Sequence, residues 1–170
     1  MYIFNGYITF LIMYAAFKIM HWNACGLLAR TNELKHFINT TDVVPDIICI
    51  QETFLKPKHN FKLDNYDIVR HDRIDQAKGG TATFVKLGIK YKVLSVPNTL
   101  DCVAVEIVIK NKSYSVVNVY NPPSCDIVVD ECKPLFGFKN AIITGDFNAH
   151  NPLWENMRAV PLGKKFLNNY

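Results

Sequence analysis

Four apolar runs in this sequence end on polar side chains of the kind that bind metals and phosphates. Residues 17–22 are followed by Asn23, and residues 47–50 by Gln51 and Glu52. Residues 116–119 lead into Tyr120 and Asn121, and residues 142–144 into Gly145, Asp146, Phe147 and Asn148. Open α/β sheets place ligand sites at the carboxyl ends of their strands. Asp146 and Asn148, two apart, face the same side of an extended chain. Gly145 is expected to leave room for a ligand to approach the backbone. One Glu and one Asp with supporting amides suit a hard cation such as magnesium, which takes one or two carboxylates along with water and substrate phosphate. Taken singly, each residue has an ordinary role: Glu52 as a solvated turn residue, Asn23 as a helix cap, Tyr120 as a strand-end aromatic. The chemical reading rests on their ordered recurrence at equivalent strand ends.

The elements that must carry these residues are legible as short apolar runs divided by turn residues. Residues 17–22 read as a strand. Residues 30–40 read as a helix, with Leu34, Phe37 and Ile38 at i, i+3, i+4 and Thr31 as N-cap. Residues 46–50, unbroken and apolar after Pro45, predict a strand covered on both faces. Residues 66–70, 81–86, 91–96, 103–110 and 114–120 are rich in β-branched and aromatic side chains and predict further strands. Gly79-Gly80, Pro97-Asn98 and Asn111-Lys112 punctuate them, the last as a hairpin turn. Residues 141–144 are expected to form another central, buried strand, and residues 152–170 a helix interrupted at Pro161. The class is α/β with much antiparallel strand.

Bulk composition narrows the function classes. With 170 residues, 49% hydrophobic and 20% charged, the chain can bury one sizeable core. A mean hydropathy of +0.04 and 12% aromatics exclude a disordered chain. The net charge of +4 permits a nucleic-acid partner without requiring one. Five cysteines, an odd number, form no C-x-x-C pair and no zinc spacing, which points to a reduced intracellular protein. Residues 1–16 are apolar and uncharged, but Asn5 and Gly6 interrupt them, and a membrane span needs about 20 apolar residues. They lack a basic leader, the first lysine being Lys18, so an added strand or loose extension is expected ahead of a signal anchor. The chain thus divides into a 1–16 extension and a 17–170 domain.

The words Trp22-Asn23-Ala24-Cys25-Gly26-Leu27, Asp46-Ile47-Ile48-Cys49-Ile50-Gln51-Glu52-Thr53 and Gly79-Gly80-Thr81-Ala82 occur in order with Val119-Tyr120-Asn121-Pro122-Pro123 and Gly145-Asp146-Phe147-Asn148-Ala149. Together they resemble the endonuclease/exonuclease/phosphatase superfamily, and specifically the endonuclease of non-LTR, jockey-like retrotransposons. Asn151-Pro152-Leu153-Trp154 is typical of that branch. The resemblance implies a four-layer α/β sandwich of the DNase I-like type. It also implies a magnesium ion, with manganese as the alternative, and cleavage of a DNA phosphodiester in the nucleus beside a reverse-transcriptase domain. By resemblance, Glu52 is the metal carboxylate and Asn23 supports the metal or its water shell. Tyr120 contacts the scissile phosphate, Asp146 orients or deprotonates the attacking water, and Asn148 fixes Asp146 and stabilises the phosphorane oxygens. Arg73, just before the glycine turn, is a weaker candidate for the DNA backbone.

One departure tempers this reading. Relatives end on a Ser-Asp-His word whose histidine meets the scissile phosphate, and none of the five histidines here stands in such a word. The chain is therefore expected to be a C-terminally truncated form that does not nick DNA appreciably by itself. Competing readings are a phosphatase of the same superfamily and a non-catalytic nucleic-acid-binding remnant.

Overall fold

The computed structural model describes residues 2–4, 7–14, 17–74, 76–123 and 129–148, with side chains from Phe17 onward except Val129. Two sheets lie face to face. The first runs β1 (Tyr2–Phe4), β2 (Tyr7–Tyr14), β3 (Phe17–Asn23), β4 (Ile47–Gln51), β6 (Thr81–Lys86) and β5 (Tyr66–His71). The second runs β10 (Ala141–Asp146), β9 (Lys112–Tyr120), β8 (Asp101–Ile109) and β7 (Tyr91–Leu94). Only β3/β4 and β9/β10 are parallel pairs among the described strands. Parallel neighbours need a crossover, usually helical. Here α1 (Thr31–Thr40) lies in the first crossover and α2 (Val129–Phe136) in the second. These two crossovers decide where the chemistry falls: they put Asn23 opposite Gln51 and Asp146 opposite Tyr120, all at the carboxyl ends of their strands.

Side-chain alternation explains the unbroken apolar run of β4. Ile47 and Cys49 point into the layer between the sheets, where they meet Ile19 and Val85 and, from the second sheet, Val103, Val105, Ile107 and Val116. Ile48 and Ile50 point the other way, to Leu34 and Phe37 of α1. All five residues of β4 are buried, as expected for a strand covered on both faces. Each fully buried isoleucine contributes about 1.5–3 kcal/mol of transfer free energy. Cys132 and Leu135 of α2 close the outer face of the second sheet over Ala104, Val117 and Val119. Helix, sheet, sheet and helix give the expected four layers.

Several local expectations need correction. Thr31 is the first helical residue, its hydroxyl turned back to the Leu27 and Leu28 carbonyls, and Arg30 occupies the cap position without a side-chain bond. The β8–β9 hairpin turns on Lys110-Asn111, one residue earlier than read. Both have positive φ (48° and 60°), as a tight two-residue turn requires, and Ile109 pairs with Lys112. The β10 strand is not central. Among the described residues it pairs only with β9, and Ala141, Ile142 and Ile143 are half-buried. Residues 7–14 pair with β3 as a strand. The 152–170 helix and the Asn151-Pro152-Leu153-Trp154 word lie outside the described residues. The four described cysteines are free thiols, and no helix among the described residues is long and apolar enough to cross a membrane.

Candidate active site

At the shared carboxyl end of the sheets, one amide ties two carboxylates together. Asn23 Nδ2 donates to Glu52 Oε1 and to Asp146 Oδ2, each at 2.9 Å. Those two oxygens therefore lie within 5.8 Å of each other, twice 2.9 Å. The remaining polar atom of Asn23, Oδ1, accepts the Cys25 N–H at 3.1 Å. Asn23 thus presents nitrogen to the carboxylates, and direct ligation of a metal by its oxygen needs the amide to turn over.

The backbone around this point is strained. Cys25, Glu52, Phe54 and Asn148 all have left-handed φ, between 44° and 53°. Such residues cost about 1–3 kcal/mol each and persist where their surroundings over-determine them. Here the bonds Gly26 N–H to Glu52 O, Leu27 N–H to Thr53 O, Thr53 N–H to Gly80 O and Phe54 N–H to Gly79 O, at 2.8–3.2 Å, supply that determination. Glu52 is thereby turned out of its strand into the pocket.

The second sheet supplies the opposite wall. Tyr120 is buried at the end of β9, on the same rim as Glu52. Burial first, then the Glu52 charge and bond and the Asp146 charge, push the phenol well above its ordinary pKa, so it stays a donor. Asp146 Oδ1 accepts the Asn148 N–H at 3.1 Å. Asn148 therefore holds Asp146 by its backbone, while its amide Nδ2 donates to the Asn121 carbonyl at 2.7 Å. Asn121 returns the tie, its N–H to Asp146 O at 2.8 Å and its Nδ2 to Phe147 O at 3.2 Å. Gly145 serves this packing rather than a ligand. Its φ is 154°, and a Cβ there would meet Val119 O at 1.9 Å, so only glycine lets β10 lie this close to β9.

Arg73 comes to the same rim by a route the sequence did not show. Its Nε is ion-paired to Asp101 Oδ2 at 2.6 Å, and a terminal nitrogen donates to Gln76 Oε1. Asp101 also meets His71 Nε2 at 3.5 Å and accepts the Gly80 N–H at 3.2 Å. Burial raises the Asp101 pKa, but the bonds from His71, Arg73 and Gly80 outweigh it and hold the carboxyl below its usual value. The bond to Asp101 raises the His71 imidazole. His21, on the other side, shares a 2.9 Å hydrogen bond with Thr144, and burial depresses it to about 4 against the pull of Asp146. Beneath the pocket, Gln51 Nε2 donates to Asn118 Oδ1 at 2.5 Å, and Asn118 Nδ2 to the Ile50 and Ala82 carbonyls at 3.1 and 3.0 Å. Asp101, His71, His21 and Asn118 were not read as site residues. Each sits inside or beside an apolar run, and its partner lies on another element.

The donor set fits a magnesium-like ion. Two carboxylates within 5.8 Å repel unless a positive charge joins them, and magnesium keeps several waters rather than asking for a protein cage. Among the described residues no group of three or more His, Cys, Asp or Glu side chains is arranged to hold a metal ion.

Fold and pocket together define a class: a two-sheet α/β sandwich with a rim site suited to divalent-ion phosphoester chemistry. The Endonuclease/Exonuclease/phosphatase family profile matches residues 20–166, and the chain belongs to that family. It is 29% identical over 152 residues to the RNA-directed DNA polymerase from mobile element jockey of Drosophila melanogaster. That match covers 86% of this chain and 16% of the polymerase, so the chain spans about a sixth of that relative. Among solved structures, the endonuclease domain of TRAS1, a telomere-specific non-LTR retrotransposon, superposes with a TM-score of 0.73 at 19% identity, covering 90% of this chain and 70% of that one. An AP endonuclease from Archaeoglobus fulgidus superposes with a TM-score of 0.54 at 20% identity, covering 79% and 59%. At such identities the structural likenesses establish the fold.

Proposed function

We propose that this chain is the endonuclease part of a jockey-like retrotransposon polypeptide and that its rim pocket hydrolyses a DNA phosphodiester with magnesium. The observation that carries the reading is the bridge from Asn23 to both Glu52 and Asp146, which joins two strand ends of the first sheet to one of the second. Glu52, with Asn23 beside it, would hold the ion, which would supply neutralisation of charge at the phosphate. The chain's own residues do the rest. Asn23 holds the two carboxylates at a fixed separation. Asp146, aligned by the Asn148 N–H, accepts the proton of the attacking water as general base. Tyr120, kept protonated, donates to a phosphate oxygen, and Arg73 balances the substrate's charge from the Asp101 side. The likeness to the jockey polymerase supports a reverse-transcriptase domain on the full-length polypeptide, and action in the nucleus is proposed with it because target DNA lies there.

Relaxation of supercoiled plasmid tests the proposal, assayed with this chain and with a chimera carrying the Ser-Asp-His segment of a relative. Magnesium-dependent, EDTA-sensitive nicking by the chimera, lost in Asp146→Ala, is the expected result. Nicking that survives Asp146→Ala would refute the assignment.

A further inference from the structure

Beyond the carboxylate pair, the most connected polar group at the rim is Asp101, and no step of the proposed reaction uses it directly. It is 7% exposed and stands at the start of β8, directly opposite Tyr120 in the β8–β9 register. From the first sheet it gathers three groups that lie apart along the chain: His71 at the end of β5, Arg73 in the following loop, and the Gly80 N–H before β6. The loop is shaped around this contact. Gly79 and Gly80 have φ of 95° and 81°, and a Cβ on Gly79 would meet Arg73 Cδ at 2.6 Å and Asp101 Oδ2 at 3.0 Å. Lys56 Nζ, four residues beyond Glu52, donates to the Arg73 carbonyl at 2.5 Å and also to the Gln76 carbonyl.

We infer that Asp101 is a positioning residue: it fixes the Arg73 guanidinium beside Tyr120 so that one edge is spent on the protein and the other is aimed at a substrate phosphate. Arginine grips phosphate through a planar fork of donors. With Nε held by Asp101 and one terminal nitrogen by Gln76, the side chain has lost its rotamer freedom before substrate arrives. The second terminal nitrogen makes no hydrogen bond with the described residues. Asp101 stands opposite Tyr120 in the β8–β9 register, which brings the Arg73 guanidinium it holds to the Tyr120 side of the rim.

This inference rests on the reading of the pocket as a phosphodiester site, and its test separates the two. Charge alone predicts that Asp101→Asn, by deleting a carboxylate near DNA, tightens binding. Positioning predicts the reverse. Binding of a duplex oligonucleotide in EDTA is measured against salt for the unmodified chain, Arg73→Gln, Asp101→Asn and the double variant. Both single variants should bind about tenfold more weakly, with the salt slope reduced by about one phosphate contact. The double variant should be no weaker than Arg73→Gln alone. In ¹⁵N spectra the Arg73 Nε–H should be protected from exchange and lose that protection in Asp101→Asn. Unchanged or tighter binding by Asp101→Asn, or losses that add in the double variant, would overturn the inference. Should the unmodified chain bind no duplex, the DNA reading fails. Dimethyl phosphate titrated against the Arg73 Nε–H then decides: a saturable shift absent in Asp101→Asn upholds the positioning role, and equal behaviour of the two proteins removes it.

Discussion

The layer between the two sheets has two ends of opposite character. At one end Ile19, Ile47, Cys49, Val85, Val105, Ile107 and Val116 meet across a wholly apolar contact, with the Phe17 and Tyr114 rings tilted against each other at 5.1 Å. At the other end the same strands cross from sheet to sheet through polar atoms. His21 reaches Thr144, Asn23 reaches Asp146, Gln51 reaches Asn118, and His71 and Arg73 reach Asp101. The apolar end needs no particular geometry to be favourable. The polar end is favourable only if every donor finds its acceptor, since an unpaired buried polar group costs about 1–3 kcal/mol. The comparison teaches that stability and site geometry are separable here: the first resides mainly in one end of the layer and the second in the other.

A core truncation sharpens the comparison most. Ile47→Ala should cost about 3–4 kcal/mol in urea unfolding through transfer and cavity terms. Divalent-ion affinity of the molecules that remain folded should not change, because Ile47 touches only the apolar end. Weakened binding at full folding would show that the two ends are coupled.

At the polar end, Asn118→Leu nearly conserves volume but strips the Gln51 amide and the Ile50 and Ala82 carbonyls of their partner. Chemical denaturation should register about 2–3 kcal/mol, far more than an ordinary isosteric change. The Glu52 carboxylate should also shift, visible as weaker Mn²⁺ binding. A neutral outcome in both would mean the bridge is dispensable.

The smallest expected effect is one of pH. His21 is depressed from 6.5 to about 4, so it is neutral when folded and resists charging. Its contribution is fully present above pH 6.5 and is lost as pH falls from 6.5 toward 4. In EDTA, the fall from pH 7 to pH 5 should remove about 1–2 kcal/mol of stability. His21→Gln should abolish that loss. The raised His71 cannot imitate it, because its contribution is present below 6.5 and lost on going up in pH. Asp101, held low, contributes above 3.8 and loses that contribution only below the window. An unaltered acid profile in His21→Gln would contradict the assignment.

Much of this layout was legible from residue types. Strands covered on both faces announce themselves by unbroken apolar runs, and the polar residue that ends each run falls at the site because parallel crossovers align the strand ends. That is why Asn23, Glu52, Tyr120 and Asp146 were legible in order. The β10 run, apolar in the same way, has one neighbour among the described strands, since a run shows hydrophobicity and not the number of neighbours. Residues 129–136, with Pro122-Pro123 before them and Pro134 inside, gave no helical period that sequence reading could separate from a loop. Asp101 could not be found, because its meaning depends on β8–β9 register and on a loop returning from the other sheet. Gly145 was read as room for a ligand, whereas the space is filled by Val119.

In the proposed chemistry Glu52 holds one divalent ion, and Asp146 beside it is kept for the attacking water. Calorimetric or paramagnetic titration with Mn²⁺ tests it on the chain as it stands, independent of any nicking. One equivalent is expected, competed by Mg²⁺, with affinity lowered at least tenfold in Glu52→Gln and by less in Asp146→Asn. One equivalent bound with unchanged affinity in both single variants would contradict it.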